Sequence, residues 1–582
     1  MIFPSLNVQQ SSKQTIDAFL GYNHNLRIGD GEFYDMKNLT SSYYPLLSPR
    51  EKRGVFAKPE AVQGMIAKDA LCYVDGTDFV MNEYRVDLGL STDEKDCPKQ
   101  LVSMGAYVVI FPDKKYINTA DLTDFGNLGA EFVSSSKARL TLCRIDAEEY
   151  SVTRIDSTAP AEPKNMELWI DTSSTPHVLK QYSSVTSVWT TVPTTYIKIS
   201  TPGIDAAFEV NDGIEISGIE GEGAPDINGS AIVWGKGDGY IVVVGIIDTV
   251  FEQETPITVK RKIPDMDFVI ESSNRLWGCR YGLNSEGKVV NEIYASKLGD
   301  FKNFNCFMGI STDSYAASVG TDGQFTGAIT HLGYPLFFKE NYLHKVYGSI
   351  PANFQIQTVT CRGVQKGSEN SLAIVNEVLY YKSKNGVCVY DGSLPSEISE
   401  VFGEELYDQA SSGGHGNKYY ISMRNQKSGL WEFYVFDASK GIWHKEDDVQ
   451  AKEFCSCRNE LYFIDAADGK IKTVFGGGEE KEKRISWMAQ SGAVGLFSPD
   501  RKYVSGLNVR ISLDVGTTVR IFAQYDSAGS WEQLCSLTGT GTKLFTVFLR
   551  PRRCDHFRLR IEGYGEAKIY SITKTLTLGS DI

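Results

Sequence analysis

The sequence predicts an all-β chain organised as a β-propeller, and three observations predict it. Aromatic runs of strand length recur about every forty residues, turn-forming dipeptides separate them, and the composition suits strands joined by tight turns. Aromatics make up 12% of the 582 residues, led by 30 Tyr and 29 Phe, with 54 Gly against only 19 Pro. Gly supplies the positive φ that tight turns need, and aromatic rings pack on pleated surfaces. The length is several times the usual ~100–200 residues of a domain, so two to four folding units are expected.

The repeat is clearest in the second half. Leu336-Phe337-Phe338, Leu379-Tyr380-Tyr381, Lys418-Tyr419-Tyr420 and Leu461-Tyr462-Phe463 have central residues 43, 39 and 43 apart. Polar turns such as Lys384-Asn385-Gly386 and Ala467-Asp468-Gly469 stand between apolar runs, as in hairpins. One four-stranded sheet per repeat, stacked radially so that only short edges stay exposed, accounts for this pattern. Leu276-Trp277 carries the same signature upstream, and Leu71–Gly76 and Tyr107–Phe111 carry it near the start. That makes seven candidate blades, with six to eight compatible with the spacing.

Between Ile110 and Trp277 lie about 130 residues more than one blade needs. The excess, 132–262, contains strand-length segments such as LTLCRID, FEVNDGIEIS and YIVVVGIID and reads as an inserted β-domain suited to docking. The propeller is therefore expected in two parts, 1–131 and 263–474. The glycines Gly476–Gly478 and the charged run EEKEKR make 475–486 a linker. In 487–582, Phe557, Leu559 and Ile561 alternate with Arg558, Arg560 and Glu562, the period of a half-buried strand, and the segment reads as a jelly-roll-like β-sandwich.

Net charge is −14, which suits a surface past which DNA slides better than one that grips phosphates, though ordinary solubility explains the same number and is the preferred reading of it. Eleven cysteines at irregular spacing argue against a disulfide framework and for reduced thiols made in a cytoplasm; Cys455 and Cys457 read as a core pair. The opening MIFPSLNVQQSSKQ lacks a secretory pattern, and no apolar run is long enough for a membrane helix.

Phosphate-loop, zincin and nucleophile-elbow motifs are absent, so no catalytic residue, cofactor or metal is assigned. His331 and His344 fall in blade strands and read as packed histidines. In VFDASKGIWHKEDD, Asp437, Glu446, Asp447 and Asp448 surround Trp443 and His444. Paired carboxylates serve glycoside hydrolysis when they face each other across a sugar. Here a turn capped by Asp437, with Trp443 packed between blades, is the preferred reading. The best basic patch is Arg550, Arg552, Arg553, Arg558 and Arg560, which meets an acidic partner, stacks a sugar with Tyr525 and Trp531, or is simply a solvated strand face.

The most distinctive text is Leu26–Leu39, LRIGDGEFYDMKNL, followed by PLLSPREKRG. It resembles the opening of the nozzle proteins of short-tailed phages, also called tail tubular protein B or packaged-DNA stabilisation protein. The matching positions are Asp30, Gly31, Asp35, Asn38 and the pair Arg53-Gly54, expected to form a turn and a strand that closes the propeller against its last blade. The resemblance implies a virion structural protein without enzymatic activity. It implies a homo-oligomeric ring, a hexamer, with tail adaptor and fibre proteins as partners and transient, non-specific contact with the DNA passing through its lumen. The C-terminal sandwich departs from that family and also resembles galactose-binding-like attachment modules. A glycan-binding adhesin is thus the alternative, and a polysaccharide-degrading tail enzyme the second.

Overall fold

The computed structural model describes residues 11–94, 98–497, 501–550 and 552–578. The fold is an all-β propeller with an inserted β-domain and a C-terminal β-sandwich; among the described residues, helix is confined to Ile204–Ala207 and three short 3-10 turns.

Each of the seven aromatic runs is the second strand of an antiparallel meander, four-stranded in the first six and three-stranded in the last, where two further strands complete a five-stranded sheet. These strands are Leu71–Asp75, Tyr107–Phe111, Arg275–Leu283, Tyr334–Lys339, Val378–Lys382, Lys418–Asn425 and Glu460–Asp465. A second strand has hydrogen-bonded neighbours on both sides and side chains covered on both faces, so it reads as a continuous apolar run rather than an alternation. Leu336, Phe337, Phe338, Tyr381, Tyr419 and Ile421 are accordingly all fully buried.

The chain divides into two compact units, one comprising residues up to 99, 323–345 and 358 onward, the other 100–322 and 346–357. In the second unit, Ala130–Val133 pairs antiparallel with Thr258–Arg261 to form the stem of the insertion. Its core is its own, with Leu140, Ile170, Ile197, Ile199, Ile214, Ile241 and Val259 buried together. Arg261 and Asp212 form a buried pair within the insertion, and Asn303 of the blade beside it donates its amide to Asp212 at 2.9 Å.

In the first unit, the last blade is completed by an N-terminal strand. Gly54–Ala57 pairs with Ile471–Thr473 on one side and with Glu480–Lys481 on the other. The 475–486 segment is therefore part of the blade edge instead of a free linker: its glycines let the chain turn back, and Glu482 accepts a hydrogen bond from the Arg53 amide at 2.9 Å.

The first strands differ more from expectation. Ser11–Ile16 pairs along Ile572–Thr577, and Glu32–Lys37 pairs with Ser486–Ser491. Both therefore belong to the C-terminal sandwich, not to a propeller spanning 1–131. One sandwich sheet holds Ser11–Ile16, Ala567–Leu578, Lys502–Leu513 and Gly541–Val547 in that order. The other orders Gly21–Tyr22, Glu32–Lys37, Ser486–Ser491, Phe557–Tyr564, Thr518–Tyr525 and Glu532–Thr538. Without the N-terminal strands, Ser486–Ser491 and Ala567–Leu578 would each present an open edge, so this pairing removes two sites of aberrant strand addition.

Gly54 lies where the closing strand meets the turn after the last blade: a Cβ there would sit 1.9 Å from the Gly477 carbonyl oxygen. Gly54→Ala is expected to destabilise the first unit by about 1–3 kcal/mol through this overpacking, read as a lower urea midpoint at unchanged slope.

Candidate functional site

Two of the residues singled out in the N-terminal segment, Asn38 and Arg53, meet in one buried cluster. Asn38 adopts φ 54°, the left-handed region that Asn tolerates better than most side chains. That turn aims its amide both ways: Oδ1 accepts from Arg50 Nε at 2.8 Å, and Nδ2 donates to the Ser486 carbonyl at 2.8 Å. Arg50 then grips Glu482 through Nη1 at 2.7 Å and Nη2 at 3.1 Å. Arg53 donates to Glu446 at 2.7 Å, lies 2.9 Å from Asp447, and sits over the Phe433 ring at 4.6 Å. Both arginine side chains are only 5% exposed. Burial works against the Arg53 charge, but Asp447 and Glu446 outweigh it and hold the guanidinium protonated. Burial raises the Glu446 carboxyl above its usual range despite the opposing pull of Arg53 and Arg50.

The remaining motif positions serve the same assembly. Asp30 pairs with Lys574, whose side chain is 2% exposed between the sandwich sheets. Gly31 has φ +92°, and a Cβ there would come within 2.4 Å of the Ala18 carbonyl. Asp35 accepts the Met36 amide at 2.9 Å and approaches Lys445 at 4.0 Å. Asp30, Gly31, Asp35 and Asn38 thus fasten the sandwich, while Arg53 holds the closing strand. Arg50 and Glu482 were not singled out from sequence, because nothing local distinguishes them from ordinary charges in PREKRG and EEKEKR.

The carboxylates around Trp443 are engaged in the fold. Asp437 accepts Ser41 Oγ at 2.6 Å, Ser439 Oγ at 2.7 Å and the Ser439 amide at 3.0 Å. The Trp443 indole donates to the Ile398 carbonyl at 2.9 Å and packs on Phe402 and Phe436. Glu446 and Asp447 both face Arg53, so they do not oppose each other across open space as a hydrolytic pair would. Burial pushes His444 down to about 3 and His344 to about 4. His344 contacts Thr358 Oγ1 at 2.8 Å and His331 contacts the Glu377 carbonyl at 2.7 Å. Ten cysteines are free among the described residues, and Cys97 lies outside them.

The arginine-rich stretch separates into two groups. Arg558 and Arg560 project from the outer face of the six-stranded sheet, because Phe557, Leu559 and Ile561 fill its inner face. Arg560 lies over the Trp531 ring at 5.5 Å, and Arg558 over Tyr34 at 5.4 Å. Arg550, Arg552 and Arg553 are exposed in the loop before that strand, with Arg552 over Tyr525 at 5.1 Å. Tyr525 itself is 6% exposed on the inner side, in register with Phe557, so it supports Arg552 instead of offering a free ring to a sugar. Antiparallel register sets Gln490, Arg560, Phe522 and Gln533 in one row of the outer face, and Met488, Glu562, Arg520 and Ser536 in the next. A shallow groove of about 340 Å³ runs over this face and shares Lys37 and Met488 with a second, of about 690 Å³, that continues toward Glu432 and Asp448.

One further titratable group lies in a cleft. Glu453 lines a cavity of about 510 Å³ with Gln63, Gln409 and Gln450, and burial raises its pKa to about 8 against a single hydrogen bond from the Met65 amide.

No protein-family model matches this chain, and no curated protein sequence is detectably similar. Among solved structures, it is similar to an exo-β-1,3-galactanase from Phanerochaete chrysosporium, at 8% identity over 53% of this chain and 94% of that one, TM-score 0.21. The β-propeller domain of the Trilobed protease from Pyrococcus furiosus aligns at 10% identity over 53% and 90% of the two chains, TM-score 0.24. A Trypanosoma rangeli sialidase aligns at 9% identity over 89% and 95%, TM-score 0.20. All three take their names from enzymes, and at these scores none bears on the chemistry of the site.

Removing one member of the buried cluster leaves its partners charged and uncompensated. Arg53→Ala is expected to cost about 3–5 kcal/mol in urea unfolding, whereas Lys58→Ala, at an ion pair with Glu480 that is exposed on both sides, should leave the urea midpoint nearly unchanged. The raised Glu453 carboxyl binds its proton more tightly folded than unfolded. Its contribution is therefore complete below pH ~4.5 and is lost as pH rises toward 8. Glu453→Gln should flatten that decline and raise the melting temperature at pH 8 relative to the wild-type chain.

Proposed function

We propose that this chain is a structural, non-catalytic component of a phage tail. Its opening motif resembles that of the nozzle, or tubular, protein of short-tailed phages. It would assemble in the virion as a homo-oligomeric ring, a hexamer by that resemblance, through which DNA passes. The adaptor and the fibres would dock on its propeller edge and inserted domain.

The observation that carries this reading is the clamp formed by the resembling segment. Asp30 and Asn38 join the N-terminal segment to the sandwich, Gly31 permits its tight turn, Asp35 approaches Lys445, and Arg53 fastens the closing strand of the last blade through buried ion pairs. A part that must stay closed while DNA moves past it benefits from such fastening at its chain ends. The engagement of Asp437, Glu446 and Asp447 within the fold supports a structural over a hydrolytic role. The net charge of −14 suits transient, non-adhesive passage of a polyanion.

Negative-stain imaging of the purified full chain should show closed rings; a clean monomer would overturn the reading. Deleting 132–262 should leave the propeller folded by circular dichroism yet prevent incorporation into tail particles, and a deletion variant that still assembled would refute the docking role.

A further inference from the structure

The outer face of the six-stranded sheet is a second, independent feature. Residues 487–582 carry twelve Lys and Arg against eight Asp and Glu, a net +4 in a chain of net −14. Arg558 forms no ion pair among the described residues, and Arg560 pairs only with Glu562, two positions along its own strand. The Nε atoms of both are buried without a hydrogen-bond partner. Each guanidinium lies over a ring, Trp531 or Tyr34, and Tyr34 is itself stacked on His24 at 4.1 Å. Stacking holds the planar fork in place and leaves its N–H edge for a carboxylate, with little further loss of side-chain freedom.

Between these cations the pleat places neutral groups, Gln490, Gln533 and Ser536, and the partly exposed rings of Phe522 and Tyr564. We propose that this face binds an acidic polysaccharide, with sugar carboxylates on Arg558, Arg560 and Arg520 and sugar hydroxyls on the amides and on Glu562. The position of Glu562 decides between polyanions. A DNA backbone has no free hydroxyl to offer that carboxylate, whereas every residue of a uronate chain carries secondary hydroxyls beside its own carboxylate. The groove over the face continues past Lys37 and Met488, which suits an extended polymer rather than a single sugar. This site does not depend on ring assembly.

The test uses the full chain and three probes in biolayer interferometry: polygalacturonate, neutral dextran and a single-stranded DNA of matched length. Polygalacturonate should bind, more weakly as salt is raised, and dextran should not. Losing two charge-assisted contacts in Arg558→Gln/Arg560→Gln should weaken polygalacturonate binding at least about tenfold. Arg520→Gln, at a solvent-exposed side chain that cannot compromise folding, should weaken it by about threefold or more and serves if the double variant does not fold. Four results would overturn the proposal: no polygalacturonate binding, equal binding of dextran, DNA binding as tight and equally sensitive to the variants, or wild-type affinity in the variants. Ring formation is scored separately by negative stain, so failure here leaves the tail reading standing and the reverse.

Discussion

The first unit depends on a buried constellation of two arginines and three carboxylates. Arg50 and Arg53 enter from the N-terminal segment, Glu446 and Asp447 from the turn after the sixth meander, and Glu482 from the segment leading to the sandwich. Charges taken out of water are costly unless each has a well-placed opposite, so the cluster is satisfied in one arrangement of the three segments and expensive in any other. Its worth lies less in added stability than in register. It specifies which strand closes the last blade and where the sandwich attaches, and Asn38, wedged between Arg50 and Ser486, carries that specification into the sandwich.

The same residue type acts differently on the outer sheet face. Arg50 and Arg53 are matched by carboxylates from distant parts of the chain, whereas Arg558 is matched by the Tyr34 ring and Arg560 by the Trp531 ring together with Glu562 on its own strand. A ring supports a guanidinium without neutralising it. Burial with carboxylates makes a fastener; stacking at a surface leaves a cation oriented and available. Spacing along the chain does not separate the two cases.

A comparable division holds for the acidic residues near Trp443. Asp437 completes its turn through Ser41 and Ser439, and Glu446 and Asp447 turn toward Arg53. The roles of these carboxylates follow from what lies opposite them, and the partners Ser41 and Arg53 are about 400 positions away in sequence.

Much of the architecture was legible in the sequence, for a local reason. A strand buried on both faces must be continuously apolar, so Phe337, Tyr380, Tyr419 and Phe463 announced their meanders, and alternation announced Phe557–Tyr564. The inserted domain was legible as an excess over the repeat. Illegible were the pairings between chain ends: that Glu32–Lys37 joins Ser486–Ser491, that Glu482 belongs to a blade edge instead of a linker, and that Tyr525 faces inward beneath Arg552. Strand character is set by each residue's immediate neighbours and can be read from periodicity. Strand partners and charge partners are set by which distant edges and carboxylates most need covering, and only the tertiary structure decides that.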